Sequence, residues 1–592
     1  MLDDIRRVAL EIWPQRLHAP RGLTRADFRG YQTRFVALIG DAIAGAIPGL
    51  MLALPPGAGK TVTVLTGLRD AFDAGTIRKA LVTSTLLVAK TVWHAEIAEW
   101  PHLGGTTWTI VRAEDNDPEI AAVSESVYAE CLDRAQTWFD AEVKDARRGN
   151  PSKASALAIV RARWEDRARA LQSDEDREAR RKPKGAPGDF AERERQGAVA
   201  AAKERMLQRL VAEPTELHII NKEALPWLWK HFRNGHAWPY DVVVADDLRE
   251  GRSGKHRSKG STKAAGKGAA PLSRWGILAR VRKHVKTTII LTGTPTPKGL
   301  ENLWGLAYLI DLGQRLGTAK TAFLKRWFNV DRYNHTVTPN GLITGKDGKV
   351  LEDGYAFFEI TSKVKDIMFS IDEEDLGDLP PFIVDPIHVQ LAPKVLAAYK
   401  AFEREMVSQE YDVEAVNGGV LHGKLLQFAN GSMYRDDGED VFIHDEKIQA
   451  LTELVDRLDG SPLLVAYTYK FDVERICAAF PDAVVLGPEN AEDCVRRWNE
   501  DRIGLLLAHR ASAAHGLNMQ KGTGHMCEYG LTSDAELYLQ FLKRIWRPGR
   551  KTKVFNHVII ADRTIDEDVF PSYLNPKIET QERILAQMRV AT

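Results

Sequence analysis

LPPGAGKT, residues 54–61, decides the fold of this 592-residue chain. It is a glycine-bracketed turn ending in Lys-Thr, with an apolar run before it and TVTVLTGLRDAF after it. A strand entering such a turn and a helix leaving it point successive backbone N–H groups at one place, and the helix adds the positive end of its dipole. Phosphate is the natural occupant. Gly57 and Gly59 are expected to let the backbone approach it, Lys60 to reach the β- and γ-phosphates, and the Thr61 hydroxyl to complete the shell of a bound Mg²⁺. The spacing departs from the strict Walker pattern, because Leu54 stands where the first glycine would be. An ordinary strand-to-helix turn is the plainer alternative.

Length sets the frame around this loop. At 592 residues the chain exceeds one hydrophobic core and predicts three or four domain-sized units. Hydrophobic content of 44% with 27% charged residues describes a soluble globular protein. Lysine plus arginine equals aspartate plus glutamate, 81 each, so any nucleic-acid affinity must come from local basic surface. Cys131, Cys477, Cys494 and Cys527 are scattered and form no CxxC pair, which predicts neither a disulfide framework nor a zinc site and fits a cytoplasmic location. The opening MLDDIRRVALEIW lacks the pattern of a secretory signal. ALIGDAIAGAIPGLMLAL, residues 37–54, is almost long enough to span a bilayer, but Asp41, Pro48 and three glycines interrupt it. It predicts a buried helix, a turn and the first core strand, and no membrane partner.

Upstream of the loop, LTRADFRGYQTRFV places Gln32 at the start of a helix, where its amide could read an adenine edge. Downstream, residues 79–103 read as a buried strand, a Ser-Thr turn and an amphipathic helix with Trp93 and Trp100 as packing residues. Ser84, Thr85 and Lys90 then fall at a strand's carboxyl end, where open α/β sheets bind ligands, and are expected to contact nucleic acid there. Residues 113–203 turn Ala-, Arg- and Glu-rich, with basic clusters around Arg147 and Arg180 and a break near Pro183. That composition predicts one or two long solvated helices joined by an elbow, inserted into the first α/β domain.

PYDVVVADDLREG delivers Asp246 and Asp247 at the tip of a buried strand. Paired acids opposite a phosphate loop suit one carboxylate holding Mg²⁺, here Asp246, and a second orienting the attacking water, here Asp247. REGRSGKHRSKGSTKAAGKGAA, residues 249–270, has almost no apolar residue and reads as a mobile basic loop suited to phosphate-backbone contact or to solvation. TTIILTGTPTPKGLENLWGLAYLID, residues 287–311, is another buried strand, and its Thr292 and Thr294 could relay the γ-phosphate state to neighbouring elements.

With YQ, GAGKT, TSTLLVAKTVWHAEIAEW, the Asp pair and LTGTPTPKGLENLW in this order, the chain resembles the first lobe of helicase superfamily two, and specifically its Swi/Snf-type branch. The likeness resumes at SPLLVAYTYKFDVERI, LLLAHRASAAHGLNMQ and ELYLQFLKRIWRPGR, which resemble motifs IV, V and VI. LPWL, LLQFANGSMY and TIDEDV add likeness to compact single-chain members encoded by bacteriophages. The resemblance implies an α/β architecture of two RecA-like parallel-sheet lobes, with strands at LLVAY, AVVL, GLLLA and FNHVII in the second. The expected layout is an N-terminal extension at 1–20, lobe 1 at 21–112 and 204–311, the insertion at 113–203, an inter-lobe helical and hairpin element at 312–381, and lobe 2 with a C-terminal brace at 382–592.

The resemblance further implies a DNA-dependent ATPase that uses ATP and Mg²⁺ and translocates on double-stranded DNA. Gln540, Arg544 and Arg547, expected on one helical face or turn, would reach the γ-phosphate when the lobes close. Lys470, Ser512, His515 and Asn518 would line the DNA-facing edge, and Gly516 would couple cleft to DNA. His509 and His515 lack the cysteine or acid cluster of a metal site. Where the branch carries Asp-Glu, this chain has Asp246-Asp247; it also has Arg550 in place of a usual glutamine and Arg510 where its relatives have proline. A carboxylate one methylene shorter can misplace a water by about an ångström, worth about 10²-fold in rate. A weakly hydrolysing ATP-dependent clamp or scaffold that recruits a partner is therefore the alternative, and a strand-separating helicase is the enzymatic one. Any DNA cutting would need a separate nuclease, and replication or recombination proteins would suit such a motor as partners.

Overall fold

The computed structural model describes residues 24–589 except 56, 116, 150–186, 233–234, 247, 249–272, 297–298, 332–335, 345–349, 372–378, 436, 488–489, 511–518 and 548–549. The predicted helix, turn and strand before the phosphate loop are present as α1 (Gly30–Ala44) and β1 (Gly49–Ala53). Gly45, in the left-handed region at φ 84°, ends the helix. All five residues of β1 are buried, as expected for a central strand of a sheet covered on both faces. The loop then opens α2 (Lys60–Asp73).

The remaining first-lobe strands are β2 (Ala80–Ser84), β3 (Leu217–Asn221), β4 (Val242–Asp246), β5 (Thr287–Thr292) and β6 (Met368–Ser370). Their order across the sheet is β6-β1-β5-β4-β2-β3. The pairings of β1 with β5 and β6, of β4 with β5 and of β2 with β4 are parallel. Register matters for function here. Ala53 faces Thr292, Leu291 faces Asp246 and Ala245 faces Thr83, so the segments following β1, β2, β4 and β5 all emerge at one carboxyl edge.

Within the expected inter-lobe helical and hairpin element at 312–381, β6 is a strand that the sequence reading did not show. The helix is Tyr355–Val364, and Met368–Ser370 returns as an edge strand against β1. MFS is too short for periodicity to distinguish strand from helix, and its partner lies more than three hundred residues away in the chain. Residues 312–367 also hold antiparallel pairs, Phe328–Asp331 with Thr336–Pro339 and Ile343–Thr344 with Val350–Glu352.

Residues 108–218 form a compact unit of their own. It contains a short strand, Trp108–Ile110, and the long helices α3 (Pro118–Gly149) and α4 (Pro187–Ala212). Cys131 and Ala135 of α3 pack with Ala191 of α4, and Arg209 pairs with Glu119 at 3.0 Å. The expected elbow near Pro183 lies outside the described residues.

The second lobe is a six-stranded sheet of β7 (Phe382–Val389), β8 (Leu463–Tyr467), β9 (Val484–Leu486), β10 (Leu505–His509), β11 (His525–Glu528) and β12 (Val554–Ala561), in the order β7-β12-β11-β8-β10-β9. All its pairings are parallel. Alternate residues of β8 face different cores. Leu464 and Ala466 join one that includes Phe428, Trp498 and Phe541, while Leu463, Val465 and Tyr467 join another with Leu451, Ile476 and Ile559. This two-sided burial explains the unbroken apolar runs of the sequence. The sequence reading missed β7 and β11. In β7 Pro386 argues against a strand, yet an edge position tolerates it, and HMCE of β11 carries too few apolar residues to stand out.

Candidate nucleotide and coupling site

Around the phosphate loop the backbone conformation demands glycine. Gly57 and Gly59 have φ of 87° and 67°, and a Cβ on Gly59 would stand 2.5 Å from Gln32 Nε2. Gly59 is the N-cap of α2, so Lys60 and Thr61 occupy the first turn of a 14-residue helix with its dipole end at the loop. The donor set fits a nucleotide phosphate: an exposed glycine, helix N–H groups and a lysine within one turn. Lys60 Nζ donates to the carbonyls of Leu54 at 2.6 Å and Pro55 at 3.3 Å, bonds that an arriving phosphate would replace.

Helix α1 braces the loop from outside. Tyr31 donates its hydroxyl to Ala58 O at 3.2 Å. Gln32 is buried; its Oε1 accepts from Arg29 N at 2.9 Å and its Nε2 reaches Thr63 Oγ1 at 3.5 Å. The amide is thus committed to the start of α1 and to α2, and only its weak contact to Thr63 is easily exchanged for another partner. Tyr31 was not singled out in the sequence, although its place beside Gln32 was the available signal.

Asp246 closes β4, and its Oδ2 accepts from Ser84 Oγ at 2.8 Å and Trp93 Nε1 at 3.3 Å. Ser84 is completely buried. Its hydroxyl is turned inward to the acid. Trp93 packs as the sequence predicted and also donates to the acid, a role that packing reasoning missed. Thr85 Oγ1 is buried without a partner among the described residues. Lys90 lies in the last turn of the helix Leu86–Thr91. Asp247, the second acid, lies outside the described residues.

From the loop a continuous set of hydrogen bonds leads into the second lobe. Leu54 N donates to Thr292 O at 2.9 Å, and Thr292 Oγ1 accepts from Thr294 N at 3.1 Å. Thr294 Oγ1 donates to Glu536 Oε1 at 3.0 Å, and Gln540 Nε2 donates to the same oxygen at 3.1 Å. Arg544 Nε donates to Gln540 O at 3.0 Å. Thr292, Thr294, Glu536, Gln540 and Arg544 are all buried. Glu536 and Gln540 lie four residues apart on one face of α5 (Ala535–Leu542), whose start is fixed by Asp534 accepting from the N–H groups of Glu536 and Leu537. Glu536 was missed in the sequence, yet its i,i+4 spacing from Gln540 was there to be read.

α5 ends at Leu542, so of the expected helical face or turn Arg544 takes the turn that follows, and Arg547 lies in the irregular segment beyond it. Arg547 Nε donates to Lys543 O at 2.5 Å, and burial lowers its guanidinium to about 10. No carboxylate among the described residues offsets that desolvation, which leaves a cation best stabilised by an incoming anion.

Ser512, His515, Gly516 and Asn518 lie outside the described residues. The positions flanking them are firmly held. Arg510 forms a buried ion pair with Glu528 and donates to Thr468 Oγ1 at 2.7 Å, while Arg550 donates to the carbonyls of Gln520 at 2.8 Å and Gly522 at 2.9 Å. His509 Nε2 stands 3.1 Å from Thr468 O. Lys470 opens an exposed helix end and pairs with Glu474 at 3.3 Å. Among the described residues no helix is long and apolar enough to cross a membrane.

No protein-family model matches the chain. Two solved structures from Sulfolobus solfataricus resemble it. One is described as a SWI2/SNF2 ATPase core in complex with dsDNA (13% identity, 97% of this chain and 99% of that one, TM-score 0.36), and the other as the SWI2/SNF2 ATPase core domain (14% identity, 94% and 90%, TM-score 0.34). A curated relative, the putative protein p41 of Acyrthosiphon pisum secondary endosymbiont phage 1, is 34% identical over 406 residues, covering 67% of this chain and 82% of that protein. The chain therefore belongs to the family of this phage protein, and its own motifs, in order, resemble those of the Swi/Snf-type branch of helicase superfamily two.

Proposed function

We propose that the protein is a Swi/Snf-like DNA-dependent ATPase that couples ATP hydrolysis to movement on double-stranded DNA. The observation that carries this reading is the hydrogen-bonded path from Leu54 through Thr292, Thr294, Glu536 and Gln540 to Arg544. An enzyme that only held nucleotide would not need its phosphate loop connected through buried polar groups to arginines of a second sheet, because such groups are costly to bury unless paired.

In this reading Lys60 exchanges the Leu54 and Pro55 carbonyls for the β- and γ-phosphates, and the N–H groups at the start of α2 cradle them. Thr61 and Asp246 would hold Mg²⁺, which supplies charge neutralisation on the phosphate oxygens. Ser84 and Trp93 orient Asp246, while Asp247 orients the attacking water. Gln32 exchanges its weak contact to Thr63 for the adenine edge. Gln540 positions Arg544, which together with Arg547 delivers positive charge to the γ-phosphate. Thr85, Lys90 and Lys470, with Ser512, His515 and Asn518, are the groups we assign to the DNA backbone, and Gly516 to the coupling between DNA and cleft.

The test is ATP hydrolysis with and without duplex DNA, followed by displacement of a triplex-forming strand. Duplex DNA is expected to stimulate hydrolysis, Lys60→Ala to abolish it, and the triplex strand to be displaced without separation of a forked duplex. Absence of any turnover with duplex DNA would refute the motor and favour a clamp, and separation of the fork would favour a helicase.

A further inference from the structure

Away from the phosphate loop, the first lobe has a cavity of about 460 Å³ lined by Trp275, Trp304, Tyr308, Arg280, Lys283 and Lys320. That volume falls within the roughly 300–1,000 Å³ of small-molecule sites. Two helices build it: Arg274–Val281, capped by Ser273 on Gly276 N at 3.1 Å, and the apolar Leu303–Asp311. Trp275, Trp304 and Tyr308 form a mutually packed aromatic triad, with centroids 5.4 to 5.6 Å apart and interplanar angles of 30° to 42°.

The triad's hydrogen-bonding edges are already used. Trp275 Nε1 donates to Gly305 O at 3.1 Å and Trp304 Nε1 to Gly317 O at 2.9 Å. What Trp275 offers a ligand is therefore ring surface, continued by the half-buried Tyr308, while Trp304 is buried behind them. The two indoles are fixed by backbone carbonyls, so that surface is preorganised and loses little entropy on binding. Around it stand Arg280 and Lys283, both exposed and without a carboxylate partner among the described residues, together with Lys320. The nearby Arg282 is turned inward instead, donating to the carbonyls of Ile310, Val285 and Pro48. The polarity is one-sided: the charged side chains of the lining are cations.

We propose that this cavity binds a nucleotide unit, its base laid on the Trp275–Tyr308 surface and its phosphate held by Arg280 and Lys283. A planar ring carrying a neighbouring dianion or diester matches both halves of the lining, because stacking tolerates any base and the cations require the phosphate. A plain anion would leave the aromatic surface uncovered, and a neutral aromatic would leave Arg280 and Lys283 without a counter-charge. The site does not depend on the ATPase reading, since it shares no residue with the phosphate loop, Asp246 or the arginines after α5.

The ligand's source is either a free mononucleotide or a base on a single strand, and tryptophan fluorescence distinguishes them. The full-length protein in a Lys60→Ala background is titrated with thymidine 5′-monophosphate in one arm and a short oligo-dT strand in the other, at several salt concentrations. The expected result is quenching by at least one of the two. Arg280→Ala/Lys283→Ala, confined to exposed side chains, should weaken that ligand about tenfold or more. For the strand it should also lower the slope of log affinity against log salt by about 0.7 for each phosphate no longer neutralised. Trp275→Leu should weaken the same ligand by a similar factor without changing the salt slope. Quenching by the mononucleotide and the strand alike would assign a free-nucleotide site, and quenching by the strand alone a strand site. No quenching, or full affinity in the Arg280→Ala/Lys283→Ala variant, would overturn the proposal.

Discussion

Asp246 is held by two donors, Ser84 and Trp93, one closing β2 and the other in the segment that follows it. A carboxylate at a strand tip has several rotamers; two hydrogen bonds to one oxygen select one of them and so fix the direction of the whole group. A hydrogen bond to a charged group is worth about 1.5–3 kcal/mol. Ser84→Ala should therefore lower ATP turnover about tenfold while duplex-DNA affinity, read by anisotropy, stays unchanged. Loss of DNA affinity at full turnover would instead favour the nucleic-acid contact expected for this serine from the sequence. The neighbouring Asp247 poses a question of length. If the missing methylene misplaces the attacking water, Asp247→Glu should raise turnover severalfold under saturating DNA and ATP. An unchanged or lower rate would mean that the surrounding groups are built around aspartate.

At the scale of elements, α5 links the two sheets through one carboxylate oxygen. Glu536 Oε1 accepts both Thr294 and Gln540, so truncation at this point severs the path while leaving the phosphate loop and the arginines in place. Glu536→Ala should lower DNA-stimulated hydrolysis roughly ten- to hundredfold with ATP affinity changed less than twofold, as expected when a misplaced group affects the rate rather than binding. Equal losses in ATP affinity and rate would place Glu536 in the binding site and not between the lobes. Much of this was legible in the chain. GAGKT, the VVVAD strand and the LTGT strand each announce themselves by apolar runs ending in phosphate- or metal-type residues, and the structure brings their carboxyl ends to one edge. Glu536 was hidden because a lone acid on an apolar helix looks like ordinary solvation, and its partner Thr294 is 242 residues away. β6, β7 and β11 were hidden for a related reason: each is short or carries polar or proline residues, and it becomes a strand through a distant neighbour and not through its own pattern.

At the scale of the whole molecule, the chain joins the two sheets twice. It passes once from β6 to β7, and it returns at its C-terminal end through α6 (Asn575–Gln587). There Ser370 of the first sheet's edge strand donates its N–H to Met588 O at 2.9 Å and its hydroxyl to Leu585 O at 2.6 Å. Arg583 pairs with Asp353 at 3.1 Å and lies over the Phe357 ring, and Ile584 and Met588 are buried. A second tether raises the effective concentration of the arginines after α5 at the phosphate loop without any new contact to nucleotide. Loosening it should therefore reduce the coupled rate and spare basal chemistry in each encounter. Ser370→Ala/Arg583→Ala removes two polar anchors and leaves the apolar contacts of Ile584 and Met588. The expected outcome is a severalfold drop in DNA-stimulated turnover, an unchanged ATP affinity, and recovery of part of the rate in the single variant that keeps Arg583. A variant with full stimulation would show that the apolar contacts alone hold α6, and that the return of the chain serves stability and not coupling.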